Sequence, residues 1–127
     1  MSKKILVADD DVASLRLVTA HLKDNGYDVV TVSDGHEALR RARLDRPDLL
    51  ILDLMLPKMD GYRVCRFLKS DDNYRYIPVV IFTSRLDSKS RREAQEAQAD
   101  AYLTKPFQLA IFLQTVKDLL AKPHSTD

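Results

Sequence analysis

Residues 49–53 read Leu49-Leu50-Ile51-Leu52-Asp53: four apolar side chains in a row, then an aspartate. A strand with one wet face alternates apolar and polar residues. An unbroken apolar run has no polar face and suits a strand covered on both sides. The pattern occurs three more times. Ile5-Leu6-Val7-Ala8 runs into Asp9-Asp10-Asp11, Val79-Val80-Ile81-Phe82 into Thr83-Ser84, and Ala101-Tyr102-Leu103-Thr104 into Lys105-Pro106. Such strands belong to parallel sheets sheathed by helices, where ligands bind outside the carboxyl ends of the strands. Carboxylates, a hydroxyl and an ammonium are therefore expected along one edge. That chemistry suits a divalent cation, a phosphoryl group, or both.

Helix signals fill the intervals. Leu15, Val18 and Leu22 fall at helical spacing before the Asn25-Gly26 stop. Val29-Val30-Thr31-Val32 adds a β-branched strand. Asp34 with Glu37 resembles a capping box for a helix through Ala38, Leu39 and Ala42, ended by Pro47-Asp48. Asp60-Gly61 marks a turn, and Tyr62 to Lys69 reads as a helix with Val64, Cys65 and Leu68 inward. Ser70 to Tyr76 is polar loop. Ser90 with Glu93 reads as the capping box of a fourth helix reaching Gln98. A fifth carries Leu109, Leu113, Val116 and Leu120 on one face, with Pro123 closing it and His124 to Asp127 fraying. Five strands strictly alternating with five helices predict a doubly wound α/β domain with right-handed crossovers.

The 127 residues suit one domain, and 45% hydrophobic residues allow an ordinary core. The net charge of +1, from 20 basic and 19 acidic side chains, argues against nucleic-acid binding by phosphate neutralisation. No apolar stretch approaches the roughly 20 residues of a membrane span. Only four apolar residues follow the basic Met1-Ser2-Lys3-Lys4, too few for a secretory signal, so a cytoplasmic location is expected. The lone Cys65 forms no internal disulfide and reads as a core residue. Arg40, Arg41, Arg43 and Arg46 read as a solvated helix face, whereas Arg91 and Arg92 are balanced between solvent and partner contact. His21, His36 and His124 are scattered and read as surface residues.

Asp9, Asp10 and Asp53 converge if the first and third strands are neighbours. Crowded carboxylates repel one another and call for a cation. Oxygen ligands suit Mg²⁺ or Mn²⁺, and no His or Cys stands beside these strand ends to favour zinc. Asp11 reads as a helix cap. A carboxylate at such a site can also act as a nucleophile toward phosphorus. Mg²⁺, Lys105 and the Thr83 hydroxyl would then cover the phosphoryl oxygens.

Four segments, KKILVADDD, LLILDLMLPKMDG, PVVIFTS and ADAYLTKPF, stand in an order that resembles the receiver domain of two-component response regulators, across residues 3–121. Thr83 is 30 residues beyond Asp53, Tyr102 49 and Lys105 52, as in that family. The resemblance implies a (βα)5 flavodoxin-like three-layer sandwich with a parallel sheet of order 2-1-3-4-5. It implies that Asp53 accepts a phosphoryl group from a histidine kinase or histidine phosphotransfer protein. Asp10, Asp53 and the Met55 backbone carbonyl would bind Mg²⁺ or Mn²⁺, with Asp9 acting through a water. Lys105, Thr83 and the Ser84 backbone would contact the phosphoryl group, and Lys105-Pro106 would be cis. Thr83 and Tyr102 would form the switch pair that remodels the face of the fourth helix, fifth strand and fifth helix. The output partner or output domain is unknown, and residues 122–127 are a tail or the start of a linker. The domain would act as a signalling switch that catalyses only its own phosphorylation and dephosphorylation, and would touch neither nucleic acid nor membrane.

Three features depart from the pattern. Gln98 stands where the family usually has Gly, and the Ser70–Tyr76 segment is longer than in the most compact members. Ala101 replaces a frequent acidic residue, which weakens the expectation of a phosphorylation-dependent dimer. Three rival readings fare worse. A haloacid-dehalogenase-type phosphatase wants a second Asp two residues after the nucleophile, where this chain has Met55. A flavin or nucleotide binder would be expected to carry a glycine-rich phosphate loop, and the three glycines form none. A receiver-like scaffold that works without phosphorylation would be expected to lose site residues that are kept here.

Overall fold

The computed structural model describes residues 2–84 and 87–122. Ten elements alternate: β1 (Lys4–Ala8), α1 (Val12–Asp24), β2 (Asp28–Val32), α2 (Gly35–Asp45), β3 (Leu49–Leu52), α3 (Gly61–Lys69), β4 (Val79–Thr83), α4 (Ser88–Glu96), β5 (Ala101–Thr104) and α5 (Leu109–Ala121). The strands make one parallel sheet in the order β2-β1-β3-β4-β5, the flavodoxin-like topology expected. Helices cover both faces, so the apolar runs need no polar side: β3 and β4 are buried throughout.

Successive strand residues face opposite layers. Leu6, Leu50, Leu52, Val79 and Ile81 pack with Ala38 and Leu39 of α2, Val64, Cys65 and Leu68 of α3, and Ala94 of α4. Ile5, Val7, Leu49, Ile51, Val80 and Phe82 pack with Val18 and Leu22 of α1 and with Phe112, Val116 and Leu119 of α5. Each large side chain buried this way contributes ~1.5–3 kcal/mol.

Aspartates start the first four helices. Asp11, Asp34, Asp60 and Asp87 accept from the amides of Ala13, Glu37, Arg63 and Ser90, satisfying N–H groups that lack a partner within the helix. The fourth helix therefore begins earlier than the Ser90–Glu93 pair suggests. Asp87 is the cap, and Ser90 lies buried in the first turn with its carbonyl accepting from the Tyr62 hydroxyl at 3.0 Å. The helix ends at Glu96, short of Gln98, which adopts φ +66°, the left-handed region glycine occupies without penalty. The fifth helix also turns a different face inward. Its buried residues are Phe112, Val116 and Leu119, while Leu109 is exposed and Leu113 and Leu120 flank the core. Apolar residues spread over more than half of this helix's circumference, so periodicity leaves its exact rotation open. The aromatic cluster settles it: the Phe107 ring lies 5.2 Å from Phe82 and 4.9 Å from Phe112.

Arg40 pairs with Glu37 and Arg41 with Asp45 along the surface of α2, and Arg46 sits over the Tyr74 ring. Cys65 is fully buried, and burial pushes its thiol up to about 12. Of the segment expected to form a tail or begin a linker, Lys122 caps α5, and residues 123–127, with Pro123 and the expected fraying from His124, lie outside the described residues.

Candidate functional site

Strand periodicity aims the site. Ile5 and Val7 of β1, Leu49 and Ile51 of β3, and Ala101 and Leu103 of β5 face the layer of α1 and α5. Carried past the strand ends, the same period of two puts Asp9, Asp53 and Lys105 on that side. Ala8 pairs with Leu52 across β1 and β3, and the Asp53 amide donates to the Ala8 carbonyl at 2.9 Å, so the two aspartates sit side by side. Gly61 lets α3 start against this corner. A Cβ there would lie 2.4 Å from the Asp53 carbonyl oxygen.

The result is symmetric. Lys105 Nζ donates to Asp9 Oδ2 at 2.6 Å and to Asp53 Oδ2 at 2.8 Å. Each remaining oxygen accepts an amide two residues ahead: Asp9 Oδ1 from Asp11 at 3.0 Å and Asp53 Oδ1 from Met55 at 2.9 Å. Asp9 and Asp53 are 5% and 8% exposed, so these charges are little screened. Asp10 is exposed and completes the cluster. The three residues can each offer an oxygen within 4.8 Å of the others. Three carboxylates facing one ammonium leave an excess of negative charge, and an all-oxygen donor set of this kind fits a hard divalent cation.

Burial is the largest influence on each of Asp9, Asp53 and Lys105. It raises Asp9, but the Lys105 hydrogen bond and the Asp11 amide, helped by the nearby Ser14 hydroxyl, outweigh it and hold that carboxyl below its usual range. It raises Asp53 too, and there burial prevails over Lys105 and the Met55 amide, with the Asp9 charge adding a smaller push in the same direction. Burial disfavours the Lys105 ammonium, yet the hydrogen bonds to Asp53 and Asp9 carry its affinity for the proton above the ordinary level.

Thr83 ends β4 fully buried, its carbonyl accepting from the Lys105 amide at 2.8 Å. It shares the parity of Val79 and Ile81 and so faces the layer of α4. Tyr102, opposite Ile81, lies half-buried on that same face. Ser84 follows Thr83 and is exposed, as is Met55. The Lys105-Pro106 peptide is cis. A cleft of about 350 Å³, lined in part by Ala13, Ser14, Leu17, Lys105 and Phe107, opens beside the cluster.

Two features escape a reading of the sequence. Ser14 joins the Asp9 environment from the first turn of α1. Lys69, read only as the end of a helix, has a side chain 9% exposed. It donates to the carbonyls of Ile77 at 2.8 Å and Arg75 at 3.1 Å and pairs with Asp100 at 2.8 Å. Asp100 also accepts from the Val79 amide at 2.7 Å, which bolts the start of β4 to α3. A lone Lys in a polar stretch gives no sign of this in one dimension.

The response regulator receiver domain family model matches residues 5–117. The alkaline phosphatase synthesis transcriptional regulatory protein PhoP of Bacillus subtilis is 43% identical over 107 residues, 84% of this chain and 44% of that protein. The chain thus spans less than half of that regulator. A crystal structure of a putative response regulator from Chloroflexus aurantiacus superposes with a TM-score of 0.91 at 31% identity, covering 96% of this chain and 100% of that one. The receiver domain of the sensor histidine kinase PA1611 from Pseudomonas aeruginosa gives 0.89 at 29% identity, covering 96% and 100%. That structure holds a magnesium ion in its active-site cleft. The chain belongs to the response regulator receiver domain family and is a signalling domain of two-component systems. Among the described residues no helix is long and apolar enough to cross a membrane.

Proposed function

We propose that this domain is a phosphoacceptor switch in which Asp53 takes a phosphoryl group from a histidine on a kinase or phosphotransfer protein. The observation that carries the reading is the bridged cluster: one lysine spanning Asp9 and Asp53, with Asp10 alongside. Asp10, Asp53 and the Met55 carbonyl would hold Mg²⁺ or Mn²⁺, with Asp9 acting through a water. When bound, the ion supplies positive charge that draws the carboxylates together and offsets charge on the phosphoryl oxygens.

The chain's own groups divide the remaining work. A carboxylate oxygen of Asp53 bonds to phosphorus as the phosphorus–nitrogen bond to the donor imidazole breaks, and the imidazole leaves with that electron pair. The Met55 amide orients the Asp53 carboxylate. Lys105, already within hydrogen-bond reach of Asp53, transfers its contact to the new phosphoryl oxygens, with the Thr83 hydroxyl and the Ser84 backbone as further donors. The cleft beside Lys105 leaves room for the donor to approach.

The aspartyl phosphate then carries a charge of roughly −1.5 to −2 at the end of β3. Thr83 moves toward it, Tyr102 turns into the vacated space, and the surface of α4, β5 and α5 changes shape. Their common position on the α4 face of the sheet supports this coupling. The population of one pre-existing arrangement rises at the expense of the other.

Incubation with acetyl phosphate and Mg²⁺, followed by intact mass measurement, tests the reading. One phosphoryl adduct is expected, lost in Asp53→Asn and in chelator. Lys105→Ala is expected to keep metal binding and slow labelling by ~10²–10³-fold, the usual cost of removing a donor to developing charge. Equal labelling of Asp53→Asn overturns the assignment.

A further inference from the structure

The fourth helix is held to the sheet by small side chains and polar ties. Of its nine residues, SKSRREAQE, only Ser90 and Ala94 are buried. The Tyr62 hydroxyl donates to the Ser90 carbonyl at 3.0 Å, and the Cys65 thiol to the Ala97 carbonyl at 3.3 Å; both bonds run to α3. Toward β5 the contact is of another kind. The Arg91 guanidinium lies over the Tyr102 ring, 5.4 Å from its centroid, within the range of a cation–π interaction. Tyr102 is opposite Ile81 in the sheet register, and Thr83 lies two residues farther along β4 on the same face. Arg91, Tyr102 and Thr83 thus form a series from the surface of α4 inward to the strand end. The stack coexists with Lys105 engaged by both Asp9 and Asp53 and so accompanies the arrangement in which that lysine binds carboxylates.

We propose that Arg91 is a positioning residue of the switch: its guanidinium clasps the Tyr102 ring in the half-buried position and opposes the inward turn. This rests on the switch reading of Thr83 and Tyr102 above. The ring must slide from under the guanidinium to move inward, so the interaction favours the arrangement that has it. At an exposed site a cation–π contact biases an equilibrium by about two- to five-fold. That is enough to set the threshold of a switch without blocking it. Removal of the contact makes activation easier. The neighbouring exposed Arg92, one residue on, supplies a charge-matched control.

Four proteins test this: wild type, Arg91→Met, Arg91→Lys and Arg92→Met. Each is titrated with beryllofluoride in Mg²⁺ while NMR follows the Thr83 and Tyr102 amides, and acetyl phosphate labelling is measured by intact mass in parallel. Arg91→Met is expected to lower the beryllofluoride midpoint about two- to five-fold, Arg91→Lys to fall between, and Arg92→Met to match wild type. Before any addition, the Arg91 side-chain protons are expected to show an upfield ring-current shift that Tyr102→Leu removes. Coincident midpoints for Arg91→Met and Arg92→Met, or no ring-current shift, overturn the clasp while labelling of Asp53 stands. Absence of an adduct in all four proteins overturns the phosphoacceptor reading instead, and with it the switch that the clasp would set. The ring-current measurement then reports on the stack alone.

Discussion

Between β1 and β4 the sheet is closed. Every residue of β3 and β4 is buried, Asp9 and Asp53 are each held by one amide and one ammonium, and Lys69 bolts the far end of β4. Beyond β4 the packing is thinner. All four residues of β5 are half-buried, and α4 contributes two small buried side chains, with a strained Gln98 just beyond its end. The difference separates two duties. A site that must hold charged groups at hydrogen-bond distances needs a stiff frame, whereas a face that changes shape must come from the less stable part of the fold. The proposed switch residues lie on the seam: Thr83 at the end of a buried strand, Tyr102 on the open one.

Truncation gives the largest test of that contrast. Leu50→Ala, in the closed part, is expected to lose ~4 kcal/mol, and Leu103→Ala in β5 ~2 kcal/mol, because a half-buried site loses less contact and relaxes more readily. Urea unfolding of both checks this, and equal losses would erase the distinction. A smaller effect is expected at Gln98. Gln98→Gly removes a left-handed non-glycine residue and is expected to gain ~1 kcal/mol, with slower amide exchange in α4. An unchanged midpoint would mean that this strain is not what loosens the helix end.

The smallest test lies inside the site and turns on pH. Asp9, held below its ordinary 3.8, stabilises the fold above pH 3.8, and that contribution is lost as the pH falls through its lowered value. Asp53, pushed above 3.8, acts in the opposite sense. Its contribution is present below pH 3.8 and is lost as the pH rises through its raised value. In metal-free buffer, Asp53→Asn is therefore expected to gain stability more steeply with pH than wild type, and Asp9→Asn less steeply. Urea midpoints between about pH 3 and 6 measure both slopes. Parallel slopes would show that the two carboxylates share one environment.

Much of the fold is legible because its signals are local. A run such as Leu49 to Leu52 can only be a covered strand or a buried helix piece, and alternation with amphipathic stretches settles which. The candidate site is legible for the same reason: Asp9, Asp53 and Lys105 directly follow the strand runs, Asp10 comes one residue later, and parallel strands bring their carboxyl ends together. Less legible is the start of α4, where Asp87 and Ser90 are both competent caps. Burial of Ser90 against α3 decides between them. The rotation of α5 was equally open, since its leucines and Ile111 spread over more than one face and the Phe82–Phe107–Phe112 cluster picks the buried one.

By itself, then, the sequence determined the alternating elements, the parallel sheet and the strand ends that carry charge, because periodicity and residue type act over a few neighbouring positions. The tertiary structure alone decided which oxygens Lys105 bridges, that Asp9 and Asp53 shift in opposite directions, that Lys69 is a bolt, and that Arg91 lies over Tyr102. Each of these depends on groups brought together from distant parts of the chain, where distance and burial rather than residue type set the strength of an interaction.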